Sequence, residues 1–155
     1  MKINNKWKLW SHNLHHDNWE PDSYNNILEI NNLYDLKVMT EYVDKELLLN
    51  NMIFLMKDNI LPIWEDENNR NGCSASFKIT NLFIWNEISI ELVTLNIFKN
   101  LSNIDEINGI SISLKKKFYI LKIWFKNNIN DFSNIINDVC SVLQLKNCRI
   151  KKHIN

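Results

Sequence analysis

The sequence has few residues that interrupt regular structure and few that form crosslinks. Its 155 residues include two glycines, two prolines and three cysteines. So few glycines leave no glycine-rich phosphate-binding loop. The cysteines are an odd set without ligand-like spacing, at positions 73, 140 and 148, which argues against a disulfide framework and favours a reducing compartment. We therefore expect a chain that folds without crosslinks.

The sequence also has no excess of charge of one sign and no long apolar run. The 18 basic and 18 acidic residues give a formal net charge of zero, so no whole-protein field attracts nucleic acid non-specifically. No apolar run approaches the ~20 residues of a membrane span, and the N-terminal MKINNKWKLW contains no apolar signal segment. The hydrophobic fraction of 45% is that of an ordinary globular protein. We expect one domain over residues 1–155, cytoplasmic, without a membrane partner or a cofactor.

Alternating apolar and polar residues predict several strands. In NGISISLKKKF, the apolar Ile110, Ile112 and Leu114 alternate with serines and a lysine. The β-rich stretch FYILKIW at 118–124 is predicted to pair back with it as a hairpin. Further strands are expected at 6–12, 24–31, 52–57, 75–81 and 147–153.

Three segments predict helices. They are 35–48 with Asp35 as its N-cap, 83–98, and 131–145 with Asp131 as its N-cap. Strands and helices follow one another in mixed order, with hairpin-like pairs of strands. This order favours an α/β (α+β) domain in which an antiparallel sheet is backed by helices on one face.

The six tryptophans are the most unusual positive feature. Burial is the ordinary role of tryptophan, and we assign Trp7, Trp10 and Trp85 to core or packing. Trp19 and Trp64 differ, because they stand in polar, proline-flanked contexts, HHDNWEPDSY and ILPIWEDEN. Two tryptophans in loops can close on a flat ligand from both faces.

The neighbours of Trp64 indicate which flat ligand would fit. A base stacked on an aromatic ring gains about 1–3 kcal/mol, and a cationic ring gains a cation–π contribution besides. Glu65 follows Trp64 directly, and its carboxylate can accept two hydrogen bonds from the adjacent N–H and NH2 donors of guanine. Lysines of the predicted hairpin would meet attached phosphates. The predicted ligand is a positively charged guanine that carries a phosphate chain.

The chain resembles the eukaryotic translation initiation factor 4E family, which binds the 7-methylguanosine cap of messenger RNA. The densest match is NMIFLMKDNILPIWEDENNRNG, 51–72, and WKLW at 7–10, NW at 18–19, IWNE at 84–87 and NGISISLKKKFYILKIW at 108–124 follow the family's order. The resemblance implies a curved antiparallel sheet of about eight strands with three helices on its convex face. It also implies a binding module that is not an enzyme. Composition and shortness suggest a divergent, viral or parasite, member.

Site residues carry over from the resemblance one by one. Lys115 and Lys117 match family positions that contact the cap triphosphate, whereas Ile120 and Ser74 stand where the family has further basic residues. Lys116 and Lys122 are candidates to compensate for these losses. The residues that the resemblance assigns to the cap base are Trp19 and Trp64 as the sandwich, Glu65 at the Watson–Crick edge, and Trp124 near the N7 methyl group.

The resemblance also implies a partner surface, and here the sequence departs from the family. Met39 stands near the position of a family tryptophan, and Asn86 follows Trp85 where leucine is usual. In both of the roles that remain possible, the ligand is capped mRNA. One is an initiation factor that recruits the scaffold factor 4G, and the other is a repressor or decoy that binds caps without recruiting it, with a 4E-binding protein as a further partner of the same groove.

A competing hypothesis from another class is a metal-dependent nucleotide hydrolase with a His/carboxylate site. Adjacent His15 and His16 point apart on a strand, and no His-x-x-x-His or Cys-x-x-Cys spacing supports them. A solvated loop is the favoured interpretation, so we expect no metal and no catalytic residue. The cluster that raises this hypothesis is His12, His15, His16, Asp17 and Glu20.

Overall fold

Seven strands and three helices make up the part of the chain that this computed structural model describes, namely residues 3, 5–94, 106–128, 143 and 148–153. A single 3-10 turn, Pro21–Ser23, precedes the second strand. The helices are α1 (Leu33–Tyr42), α2 (Lys45–Leu48) and α3 (Phe83–Thr94). The strands are β1 (Trp7–Asn13), β2 (Asn25–Ile30), β3 (Asn51–Lys57), β4 (Cys73–Ile79), β5 (Ile107–Leu114), β6 (Tyr119–Phe125) and β7 (Arg149–Lys152).

The strands form one curved sheet in the order β2-β1-β3-β5-β6-β4-β7. Every neighbouring pair in it is antiparallel. Each of the seven strands overlaps a segment that its alternating pattern predicts, so the antiparallel α/β fold is confirmed. The strand count among the described residues is seven, slightly below the number that the family resemblance implies.

The β5–β6 hairpin sets the register of the sheet's centre. Its turn is closed by a hydrogen bond from the Lys115 N–H to the Phe118 carbonyl at 2.8 Å. In the two strands that this turn joins, Ser111 lies opposite Lys122, and Gly109 lies opposite Trp124. Because strand side chains alternate between the two faces, Lys122 and Trp124 point to the same side of the sheet.

The predicted helix at 35–48 is two helices, and its predicted N-cap is wrong. Asn32 caps α1, because its side chain accepts from the Asp35 N–H at 2.9 Å, while the Asp35 carboxylate accepts from the Asn31 N–H at 2.9 Å. The chain then leaves the helix, and Asp44 caps α2 by accepting from the Leu47 N–H at 2.9 Å. A short carboxylate that satisfies the free N–H groups of a new helix favours a restart there.

The other predicted helices are described only in part. α3 confirms the start of the helix predicted at 83–98, and 95–98 lie outside the described residues. The predicted helix at 131–145 falls outside them apart from residue 143. No helix in the described ranges combines the length and apolarity needed to cross a membrane.

The main core lies between the sheet and the helices. Trp7 and Trp85 are 1% and 0% exposed there, which confirms their predicted packing role. In β3, Ile53 and Leu55 point into this core, while Phe54 between them points to the opposite side. That opposite side, which we call the open face, carries a second and smaller aromatic cluster. Its members are Phe54, Met56, Ile60 and Trp124, with Trp10, Tyr24, Met52 and Trp64 packed against them.

Candidate ligand-binding site

A cavity of about 260 Å³ lies over the aromatic cluster of the open face. Four residues that the sequence predicts to act together line it, namely Trp19, Trp64, Glu65 and Trp124. Their chain positions span more than a hundred residues, so the fold alone brings them together. The other lining residues are Tyr24, Met52, Phe54, Pro62, Ile63, Ser111 and Lys122.

Trp19 forms one wall of this cavity from the loop after β1. It is 48% exposed, and the ring of His12 stacks on it with centroids 3.8 Å apart and planes 7° from parallel. His12 is fully buried, and its Nε2 donates to the Asn18 carbonyl at 2.7 Å. Tyr24 meets Trp19 edge-on at 6.4 Å. Since His12 covers one face of Trp19, the ligand has the other face available.

The histidine and acidic residues before Trp19 do not converge on a point. Nε2 of His12 is engaged by the backbone, and Nε2 of His15 lies 3.0 Å from Oδ1 of Asn50. In the ranges that the structure describes, no three His, Cys, Asp or Glu side chains are grouped so as to hold a metal ion. The remaining members of the predicted cluster are exposed: His16, Asp17 and Glu20.

Trp64 stands in a loop that is held by its own hydrogen bonds. The Asp66 carboxylate accepts from the Leu61 N–H at 3.0 Å and from the Asn68 N–H at 2.8 Å. The fully buried Asn69 donates its amide N–H groups to the carbonyls of Leu61 and Ile63, each at 2.9 Å. These hydrogen bonds within the loop stabilise its conformation.

The loop is also tied to the sheet at two points. Nδ2 of Asn108, at the start of β5, donates to Oδ1 of Asn69 at 3.0 Å. At the loop's end, Gly72 approaches Phe125 so closely that a Cβ atom would overlap the Phe125 carbonyl. The φ of Gly72 is not positive, so the reason for glycine here is the close approach of the two backbones and not an unusual backbone conformation. These contacts fix Trp64 relative to the strands.

Glu65 lines the cavity beside Trp64 and is exposed to solvent. Its charge acts on Tyr24 in the opposite wall: burial raises the pKa of the Tyr24 phenol to about 12, and the Glu65 carboxylate adds to the shift. The carboxylate is therefore close enough to Tyr24 to act on it electrostatically. Its two oxygens are available at the edge of any planar ligand that enters between the walls.

The floor of the cavity is Trp124, which is 3% exposed. Its Nε1 donates to Oγ of Ser111 at 3.1 Å. The ring of His153 lies 5.2 Å from that of Trp124, and it is nearly parallel to that of Trp64, with centroids 6.1 Å apart. His153 thus packs against two of the predicted site residues at once.

Sequence reasoning missed His153, although the predicted strand at 147–153 contains it. Its Nδ1 donates to the Asn69 carbonyl at 2.6 Å, and its Nε2 lies 2.5 Å from Oγ of Ser74. Burial lowers the pKa of His153 below its usual value, the backbone hydrogen bond opposes this shift, and the charge of Lys122 adds to it. The pairing of Ser74 with Lys151 places the end of β7 beside the site, and only the sheet register reveals this.

Among the described residues, the positively charged side chain that lines the cavity is Lys122. Burial lowers the pKa of its amine, and the charges of Lys115 and Lys151 lower it further. Lys115 and Lys117, the predicted triphosphate contacts, are exposed on the β5–β6 turn and line a separate surface groove. The physical reason is the register, because Lys122 lies on the face of Trp124 whereas the turn lysines lie beyond the paired strand ends.

The predicted partner residues occupy the helices on the other side of the sheet. Met39 is fully buried, so its side chain does not reach the surface. The helical period turns residues 34, 38 and 42 outward instead. Asn86 is half-buried, and its Oδ1 is enclosed. The exposed apolar side chains of α1 are Tyr34, Val38 and Tyr42.

The fold and the cavity define a class of protein. It is a one-sheet α/β binding protein whose open face carries an aromatic pocket with an acidic residue at its edge and a lysine beside it. The sequence matches the eukaryotic initiation factor 4E family over residues 2–154. The chain therefore belongs to this family.

Solved structures of the family share the fold. Initiation factor eIF4E-3 of Ascaris suum, solved with an m2,2,7G cap, is 17% identical with a TM-score of 0.77, over 98% of this chain and 91% of that chain. C. elegans eIF4E-3, with the 4E-binding protein Mextli and a cap analog, is 20% identical with a TM-score of 0.77, over 98% and 92%. Schistosome eIF4E, complexed with m7GpppG and 4E-BP, is 16% identical with a TM-score of 0.73, over 87% and 76%.

Proposed function

We propose that this chain binds the 7-methylguanosine cap of messenger RNA and acts in translation initiation in the cytoplasm, as a binding protein and not as an enzyme. The observation that carries the proposal is the cavity in which Trp19, Trp64, Glu65 and Trp124 meet. The relatives from Ascaris suum and schistosome were solved with caps, which agrees with this assignment.

The base is held by its faces and its edge. Methylation at N7 gives guanine a delocalised positive charge, and the π-faces of Trp19 and Trp64 attract a cationic ring more strongly than a neutral one. Glu65 accepts from the N1–H and the exocyclic NH2 of guanine. Adenine lacks this donor pair, so the carboxylate selects guanine and the indoles select the methylated form. Trp124 closes the floor beside the methyl group.

The phosphates extend toward the lysines. Lys122 lies at the cavity, and the charges of Lys115 and Lys151 act on it. Three like charges that repel one another stabilise a bound polyanion, because the anion offsets their repulsion. Lys115 contacts the outer phosphates, and Lys117 supports it from the turn. The resemblance to the family places an arginine at the position of Lys115. Lysine keeps the positive charge there but lacks the bidentate guanidinium group.

A partner protein binds the helix side of the sheet. Tyr34, Val38 and Tyr42 lie four residues apart on α1 and are 74%, 36% and 45% exposed, which is the arrangement that receives an amphipathic helix. The relatives from C. elegans and schistosome were solved with 4E-binding proteins. Retention of the scaffold factor 4G on the immobilised chain supports the initiation role, and cap binding without such retention supports the repressor role.

The test is quenching of tryptophan fluorescence by 7-methyl-GTP and by GTP. We expect 7-methyl-GTP to bind at least about tenfold more tightly, because only the methylated ring is cationic. Trp64→Ala should abolish the difference, and Phe83→Ala, at an exposed aromatic on α3, is the matched control that should not. Equal affinity for the two nucleotides in the unsubstituted protein would refute the proposal.

A further inference from the structure

A second groove lies next to the cavity on the outer strands β6, β4 and β7. Its volume is about 860 Å³, and its lining includes Ser76, Lys78, Phe118 and Arg149. Among the residues that the structure describes, the lining includes no carboxylate. The groove is therefore open, large and basic, in a chain whose formal net charge is zero.

The sheet register connects this groove with the cavity. Lys122, which lines the cavity, is paired with Ser76 on β4, and Ser76 is paired with Arg149 on β7. Residues directly opposite one another on neighbouring strands share a face. Lys122 and Arg149 are thus two strand spacings apart, about 10 Å. Within the described ranges, a chain that leaves the cavity past Lys122 enters the groove without crossing any other strand or helix.

The groove offers an aromatic surface as well as charge. Nζ of Lys78 lies 4.3 Å from the centroid of the partly exposed Phe118 ring. A nucleobase can occupy the same ring face, because base–aromatic stacking tolerates every base. Lys78, once displaced from the ring, and Arg149, which lines the same groove, are then placed to contact phosphates. The guanidinium of Arg149 can bind two phosphate oxygens at once.

We propose that this groove binds the first nucleotides of the single-stranded RNA that follows the cap, with Phe118 stacking a base and Lys78 and Arg149 contacting phosphates. The proposal rests on the function proposed above, since the cap places the RNA at the groove's entrance. Recognition is independent of sequence, because every contact is to the phosphate backbone or to a base face.

The experiment compares three probes by quenching and anisotropy: 7-methyl-GTP, a capped single-stranded RNA of eight nucleotides, and the same RNA with an unmethylated 5′ triphosphate. We expect the capped RNA to bind about fivefold more tightly than 7-methyl-GTP at low salt and to show a steeper salt dependence. The double variant Lys78→Met/Arg149→Met should remove this gain and reduce the salt slope by about 1.4, while its affinity for 7-methyl-GTP stays unchanged.

The control is Lys6→Met/Lys37→Met, which removes the same charge from exposed positions outside the groove and should keep the gain. Thermal unfolding verifies that both variants fold. Equal affinity of the unsubstituted protein for capped RNA and 7-methyl-GTP overturns the proposal. The proposal is also overturned if a glutamate-rich peptide displaces capped RNA and uncapped RNA does not. If 7-methyl-GTP itself binds no better than GTP, the proposed function fails instead.

Discussion

The ring of His12 lies parallel to the indole of Trp19 at 3.8 Å, and its Nε2 is anchored to the Asn18 carbonyl in the same loop. A histidine that the sequence offers as a metal ligand is therefore a support for an aromatic wall. Trp19 has its orientation fixed before any ligand arrives. This preorganisation lowers the ordering cost of binding.

The support of Trp19 can be tested by replacing His12. His12→Ala should weaken binding of 7-methyl-GTP about three- to tenfold, because the indole loses the ring that fixes it. His12→Phe should retain most of the affinity, since phenyl provides a similar stacking surface. Fluorescence titration gives the affinities, and urea unfolding reports stability separately. An alanine variant that binds like the unsubstituted protein would contradict the role assigned to His12.

Reading of the base edge by Glu65 predicts a strong effect of a small change. Glu65→Gln keeps the shape but places an NH2 group against guanine donors, so affinity for 7-methyl-GTP should fall about tenfold to a hundredfold. The fold should be unaffected because Glu65 is exposed. Glu67→Gln, also exposed and in the same loop, serves as the control, and an equal effect of the two substitutions would show that charge alone matters. Titration calorimetry measures both.

The position of Lys122 predicts which lysine carries the phosphate contribution. The ratio of affinities for 7-methyl-GTP and the 7-methylguanosine nucleoside should fall about fivefold in Lys122→Met, because a charge-assisted contact is lost. Lys117→Met should change this ratio less, since Lys117 lies on the turn and outside the cavity. A larger fall of the ratio in Lys117→Met than in Lys122→Met would show that the phosphates bind at the hairpin turn.

The lowered pKa of His153 predicts a pH dependence of stability. Its folded pKa lies below the ordinary value of 6.5, so between these two values the unfolded chain binds more protons than the folded one. The free energy of unfolding therefore rises with pH through this window, and the contribution is lost as pH falls through the folded pKa. Urea unfolding at pH 5 to 8 should show this slope, and His153→Gln should reduce it. The exposed His16→Gln is the control, and an unchanged slope in His153→Gln would exclude His153 as its source.

Strands such as β1 and β6 could be predicted from sequence because their side chains alternate between a buried face and a less buried one. The helix break at 43–44 could not, because Asp35 and Asp44 are both acceptable caps by local preference. The structure chooses Asn32 and Asp44 through their backbone hydrogen bonds. Local patterns predicted that helix was present, and cap geometry decided where it begins.

Part of the site could be predicted from loop context, and the rest depended on register. Trp19 and Trp64 stand out because their neighbours are polar, and Glu65 follows from Trp64. Lys122 and His153 reach the site only through the pairing of β6 with β5 and of β7 with β4. Such long-range pairings leave no mark on a single strand's pattern. The burial of Met39 likewise follows from how α1 lies on the sheet.

Asn69, in the asparagine-rich stretch after Trp64, links the stability of this loop to that of the whole domain. The buried side chain of Asn69 hydrogen-bonds Leu61, Ile63 and Asn108, and the backbone carbonyl of Asn69 accepts from Nδ1 of His153. The segment that carries Trp64 and Glu65 is thus part of the cooperative unit of the domain, so its entropy is lost when the chain folds and not when the ligand arrives. The affinity for the ligand and the free energy of unfolding of the domain then depend on the same hydrogen bonds. Damage to this buried amide would loosen recognition from a distance, without removing any atom that touches the ligand.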